Sequence, residues 1–159
     1  MMIARVRRIL DLEPYDEQLR TLVKKWAHLE RDVMSVPNAM AHIYTVLHQG
    51  GFLFLDIEEG ETGIEVHGYF LAAISQEPGR ILQILQQYTD RKNSEKESVY
   101  SAIDEILLEE AKENGIGSIA YVSIRAVKDE HGSNRFFEKR GYKRAAAVFT
   151  RDVESEVVA

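Results

Sequence analysis

A chain of 159 residues, 45% hydrophobic and 29% charged, has the size and make-up of one globular core, which excludes the disordered and fibrous classes. A formal charge of −6 opposes nonspecific nucleic-acid binding, which needs Lys and Arg to displace counterions from phosphates, and the absence of cysteine excludes disulfides, thiolate metal sites and a cysteine nucleophile. No apolar run approaches the roughly 20 residues that cross a bilayer, and the arginine-bearing amino terminus lacks the apolar core of a secretory signal, so a cytoplasmic setting is expected.

Met2 to Leu10 has the β-branched content of a first strand, with Arg5, Arg7 and Arg8 as a solvated face. Pro14 suits the first turn of a helix, and Leu19, Leu22, Val23, Trp26 and Leu29 recur at helical spacing behind it. A second helix is expected after Pro37, capped by Asn38, with Met40, Ile43, Tyr44 and Leu47 on one face and Gly50-Gly51 as its stop. The period then changes. Phe52 to Ile57, an acidic and glycine-rich turn from Glu58 to Gly63, and Ile64 to Ile74 read as a β-hairpin. Arg80 to Tyr88 fits a strand or a short helix, and the strand is favoured because the hairpin needs a partner. A long helix follows from about Ser94 to Asn114, where Ser94-Glu-Lys-Glu97 has the pattern of a capping box. Ser118 to Ile124 reads as a strand, Ser133 to Arg140 as a short helix closed by Gly141, and Tyr142 to Val153 as a final strand. The expectation is a single α/β (α+β) domain over residues 1–153, with a frayed tail at 154–159.

The order β-α-α-β-β-β-α-β-α-β, together with Asn134-Arg-Phe-Phe-Glu-Lys-Arg-Gly-Tyr142, resembles the GNAT N-acetyltransferase superfamily. Phe136 to Tyr142 is similar to that family's late F-Y-E-K-x-G-F segment. The resemblance implies a mixed central sheet of about six or seven strands with helices on both faces. It also implies acetyl-CoA or another acyl-CoA lying between the fourth and fifth strands, its pyrophosphate on a glycine-rich loop before the long helix. That loop exploits the free amides and the dipole of a helix amino terminus. The matching stretch here, Asp90 to Ser98, contains no glycine, with Ser94 and Lys96 where the glycines should be and Glu95 and Glu97 in the first turn. Candidate cofactor contacts are therefore Gln87, Tyr88, Arg91, Lys92, Ser94, Lys96 and Phe137.

Catalysis in the resembled family is aminolysis: a base deprotonates the amine, backbone amides polarise the thioester, and a tyrosine protonates the departing thiolate. The tyrosine belongs at position 137, which is Phe137, and Gln83, Gln86 and Gln87 stand where a carboxylate base is sought. Tyr121 is the candidate replacement for the acid, and Glu65 or His67, acting through water, for the base; Glu65, His67 and Tyr69 would share one face of their strand. The five histidines form no zinc spacing and no metal is expected. No nucleophile elbow or dinucleotide fingerprint is present.

Two functions follow. One is an N-acyltransferase acting on a small-molecule or protein amine. The other is a catalytically inactive GNAT-fold binding or assembly module with a protein partner, in the manner of small divergent domains of tailed phages and mobile elements, which would place it inside a virion. Either could form a homo-oligomer, and neither calls for nucleic acid or a membrane.

Overall fold

The computed structural model describes residues 5–29, 35–75, 80–121 and 130–143. Strand β1 (Arg5–Ile9) leads through a 3-10 turn at Glu13–Tyr15 into helix α1 (Asp16–Leu29), and α2 (Val36–His48) follows. Strands β2 (Phe52–Gly60), β3 (Gly63–Ser75) and β4 (Ile81–Thr89) come next, then the long helix α3 (Asn93–Glu113), β5 (Ser118–Tyr121) and α4 (Glu130–Lys139). The sheet runs β1-β2-β3-β4-β5, antiparallel throughout except for the parallel β4/β5 pair, which α3 connects.

Helices cover both faces, which explains why Phe52 to Leu55 is apolar without alternation. On one face Leu53, Leu55 and Leu71 meet Leu19, Val23 and Ile43 of α1 and α2. On the other Phe54, Phe70 and Ile84 meet Val99, Ile103 and Leu107 of α3. Each of these side chains is fully or almost fully buried, and each such burial contributes about 1.5–3 kcal/mol before entropy is counted. The alternative of a short helix at 80–88 is excluded, because β4 pairs along its whole length with β3.

Several sequence expectations change. Five strands, not six or seven, make up the sheet among the described residues, and the final strand expected from Tyr142 to Val153 lies almost wholly outside them. Ser35, not Asn38, caps α2: its hydroxyl accepts from the Asn38 amide at 3.4 Å, and Pro37 occupies the first turn, where a missing N–H costs nothing. The capping box at Ser94 does not form. Helix α3 begins one residue earlier, with extended Lys92 as its cap residue and no side-chain cap bond. Pro14 sits in the separate 3-10 turn rather than in α1. Tyr69 does not share a wet face with Glu65 and His67. Asp56 pairs with Gly68 and Ile57 with Val66, so His67 is an extra residue in β3, and this bulge turns Tyr69 into the core.

Candidate functional site

A second bulge lies in β4. Leu71 pairs with Gln86 and Ala72 with Ile84, which leaves Leu85 as the extra residue. The described parallel register of β4 with β5 runs from Ile81↔Ser118 to Ile84↔Tyr121, the last described residue of that segment. From Gln86 to Thr89 β4 pairs with β3 and runs straight to the amino terminus of α3.

Tyr121 pairs with Ile84, and its ring packs on Phe137 of α4, centroid to centroid 5.2 Å. Its hydroxyl accepts a hydrogen bond of 2.6 Å from Nη2 of Arg140, the residue just past α4. Arg140 is fixed by a fork on Asp104 of α3, with Nε to Oδ2 at 2.9 Å and Nη2 to Oδ1 at 2.6 Å, and its side chain is 8% exposed. The rings of Tyr100, Tyr121, Phe136, Phe137 and Tyr142 lie 4.7–5.9 Å from its guanidinium carbon, a cage that holds one rotamer. Burial pushes the Tyr121 hydroxyl up to about 12, while the Arg140 charge pulls it the other way. Burial works to lower the Arg140 guanidinium, but the hydrogen bonds it donates to Asp104 and the nearby Tyr121 carry it above its ordinary value. Gly141, at φ +84°, ends α4 in the left-handed region that glycine enters without strain.

The glutamines of β4 divide. Gln86 accepts from Tyr69 Oη at 3.1 Å and donates to Ala39 O at 3.3 Å and His42 Nδ1 at 3.1 Å, a buried network tying β3, β4 and α2 together. Burial lowers His42 from its ordinary 6.5, and burial likewise raises Tyr69. Gln87 is different: its Oε1 is buried and accepts no hydrogen bond among the described residues. Tyr88 is half-buried against the α1/α2 side of the core.

At the start of α3, Arg91 is turned inward. Its Nε and Nη2 bond Oδ2 and Oδ1 of Asp56 in β2 at 2.8 and 3.1 Å, and Nη1 lies 3.6 Å from Glu58. The bond to Asp56 raises its guanidinium above the ordinary value. Lys92 and Ser94 are exposed and Lys96 is half-buried, so the two lysines remain the cations at the surface of this helix start.

Glu65 and His67 do come together, but elsewhere. His67 Nε2 lies 2.8 Å from Glu58 and 3.4 Å from Glu65, and Nδ1 lies 3.4 Å from Asp90. His67 neighbours the Gly68↔Thr89 pair, whereas Tyr121 pairs with Ile84, and the step from Ile84 to Thr89 spans about 16 Å at a rise of ~3.3 Å per residue. One reacting atom cannot touch both. Sequence reasoning missed Arg140, Asp104, Asp56 and the two bulges; only Arg140 carried a signal, as a basic residue inside the late segment.

No protein-family model matches the chain, and neither does any curated protein. Solved structures do. A possible acetyltransferase from Clostridium difficile 630 superposes with a TM-score of 0.68 at 12% identity, over 96% of this chain and 99% of the other. The chain has the GNAT acetyltransferase fold. A predicted acetyltransferase from Clostridium acetobutylicum, solved with acetyl-CoA, gives 0.64 at 16% identity over 93% and 95% of the two chains. Aminoglycoside acetyltransferase AAC(6')-Iy, solved with the bisubstrate analogue CoA-S-monomethyl-acetylneamine, gives 0.66 at 13% identity over 94% and 97%. At such identities the likeness is one of fold, and the chemistry rests on the residues in hand.

At the carboxyl end of β4 the chain brings together the buried Oε1 of Gln87, which accepts no hydrogen bond among the described residues, and the surface lysines Lys92 and Lys96 at the start of α3, whereas the Arg91 guanidinium is engaged by Asp56.

Proposed function

We propose that the chain is an N-acyltransferase that moves an acetyl or related acyl group from acyl-CoA to an amine. The observation that carries this reading is the stretch of β4 from the Leu85 bulge to Thr89. The bulge interrupts the ladder with β3, and the strand leads to the amino terminus of α3. Backbone groups freed by such a bulge can bond the amide-bearing arm of the donor, and an amide there can polarise a thioester carbonyl. Lys92 and Lys96 would hold the diphosphate by charge, together with the free amides at the start of α3. With Glu65 and His67 about 16 Å along the sheet from Tyr121, the amine loses its proton to water rather than to either side chain.

The test is release of CoA when the protein is mixed with acetyl-CoA and a panel of amines. A thiol reagent can follow it without background, because the protein has no cysteine. Calorimetry that finds no acetyl-CoA binding at millimolar ligand would sink the reading. A second reading, an inactive GNAT-fold binding module, is favoured by the diversion of Arg91 to Asp56 and predicts that null result.

A further inference from the structure

The hairpin of β2 and β3 carries an imidazole and carboxylates that neither acyl transfer nor the core uses. We propose that Glu58, Glu65 and His67 bind a divalent transition-metal ion, for which Zn2+ is the fitting probe. The site stands apart from the acyl-transfer reading and does not depend on it.

The strand register brings the three together. Glu58 pairs directly with Glu65 across β2 and β3, and like charges placed so are unfavourable unless a cation lies between them. The bulge follows at Val66, and it leaves Nε2 of His67 2.8 Å from Glu58 Oε2 and 3.4 Å from Glu65 Oε2. All three ligand atoms lie within 4.8 Å of one another. Around a tetrahedral zinc, with bonds of about 2.0–2.2 Å, neighbouring ligand atoms stand about 3.3–3.5 Å apart. Glu58 therefore has to open by only about half an ångström. Glu65, whose side chain is 71% exposed, has the room to close. No sequence spacing announces this set, because its members meet across a hairpin and a bulge.

The surrounding groups support a cation here. Arg91 Nη1 lies 3.6 Å from Glu58, but the same guanidinium forks onto Asp56 and lies 3.9 Å from Glu95, so one charge is spread over three carboxylates. Behind the imidazole, Nδ1 of His67 lies 3.4 Å from Asp90 Oδ1, and Asp90 Oδ2 lies 3.6 Å from Lys25 Nζ. A carboxylate beside the far nitrogen is the arrangement that orients a metal-binding histidine and keeps its other nitrogen open to the ion. One imidazole with two carboxylates suits zinc and its transition-metal neighbours, whereas Mg2+ and Ca2+ take all-oxygen sets. Three protein ligands leave a fourth position to water. Through Asp90 the ion also joins the hairpin to the segment that leads into α3.

The experiment strips the full chain with EDTA, desalts it and titrates it with ZnCl2 by calorimetry, beside His67→Asn, Glu65→Gln, Asp90→Asn and His48→Asn. Wild type is expected to take up a single zinc per chain, and His67→Asn to lose that uptake. Glu65→Gln is expected to weaken it at least about 10-fold, and Asp90→Asn, which touches only the far side of the ring, about 10-fold. His48→Asn, in the exposed last turn of α2, controls for binding by a lone surface histidine and is expected to match wild type. Co2+ in place of zinc is expected to give the intense visible bands of a four-coordinate ion in wild type and to lose them in His67→Asn. Should His67→Asn not fold, Glu65→Gln and the cobalt spectrum of wild type still decide. A wild type that takes up no zinc overturns the assignment, as do His67→Asn and Glu65→Gln proteins that bind it as wild type does. Release of CoA is read separately, so the acyl-transfer reading survives either result.

Discussion

Replacing Arg91 with Met separates two roles that the sequence leaves superposed. As a phosphate ligand, Arg91 would matter to acetyl-CoA affinity and little to stability. As built, its guanidinium forks onto Asp56, and the two residues are 5% and 0% exposed. Arg91→Met therefore strands a carboxylate with no access to water, which costs about 3–5 kcal/mol. For a domain of this length that corresponds to a fall in Tm of roughly 6–20 °C. The double variant Asp56→Leu/Arg91→Met removes both charges and fills their volume, so most of the lost Tm should return. Thermal unfolding followed by circular dichroism measures both, and calorimetry on the double variant measures acetyl-CoA affinity separately. The reasoning is refuted if Arg91→Met melts within about 2 °C of wild type while its affinity for acetyl-CoA drops tenfold or more.

Lys92→Ala/Lys96→Ala should weaken acetyl-CoA binding without changing Tm, and the deficit should shrink as salt is raised, because these are surface charges. Gly68→Ala should cost about 1–3 kcal/mol in urea unfolding, since a Cβ there meets Tyr88 O at 2.9 Å and Thr89 Cβ at 3.2 Å, both on a paired strand that cannot retreat. His42 titrates below 6.5 in the folded chain because burial disfavours its charged form, so the unfolded chain binds the proton first. Stability should be flat above pH 6.5 and fall as pH drops below it. The fall should be shallower in His42→Gln, read from urea midpoints between pH 7.5 and 5.

The architecture was legible because its signals are periodic and local. The stripe from Leu19 to Trp26, the double-sided apolar run at Phe52 and the glycine after Arg140 each name an element without knowledge of its neighbours. Helix starts were less legible. Ser35 and Asn38 flank the same Pro37, and Ser94 stands two residues inside a helix that Lys92 begins, so only backbone geometry decides which residue caps. The ion pairs were opaque for another reason. Asp56 and Arg91, like Asp104 and Arg140, are about 35 residues apart, and no spacing rule links residues that meet only through the sheet and the packing of α4 on α3.

The bulges explain why the candidate site changed most. Strand alternation assigns each side chain a face only while the register holds, and one extra residue moves everything after it to the other face. His67 is such a residue, and it sends Tyr69 to Gln86 and the core while His67 itself stays with Glu58 and Asp90. Leu85 is the other, and it follows directly on Ile84, the residue that pairs with Tyr121. A reading by alternation therefore gathers Glu65, His67 and Tyr69 into one row and leaves Tyr121 alone. The folded chain does otherwise: it takes Tyr69 out of the row, leaves Glu65 beside His67, and surrounds Tyr121 with Phe137 and Arg140, both from the late segment that identified the scaffold. The same nine residues that mark the scaffold in the sequence thus also carry Arg140, the cation that the fold buries between Asp104 and Tyr121.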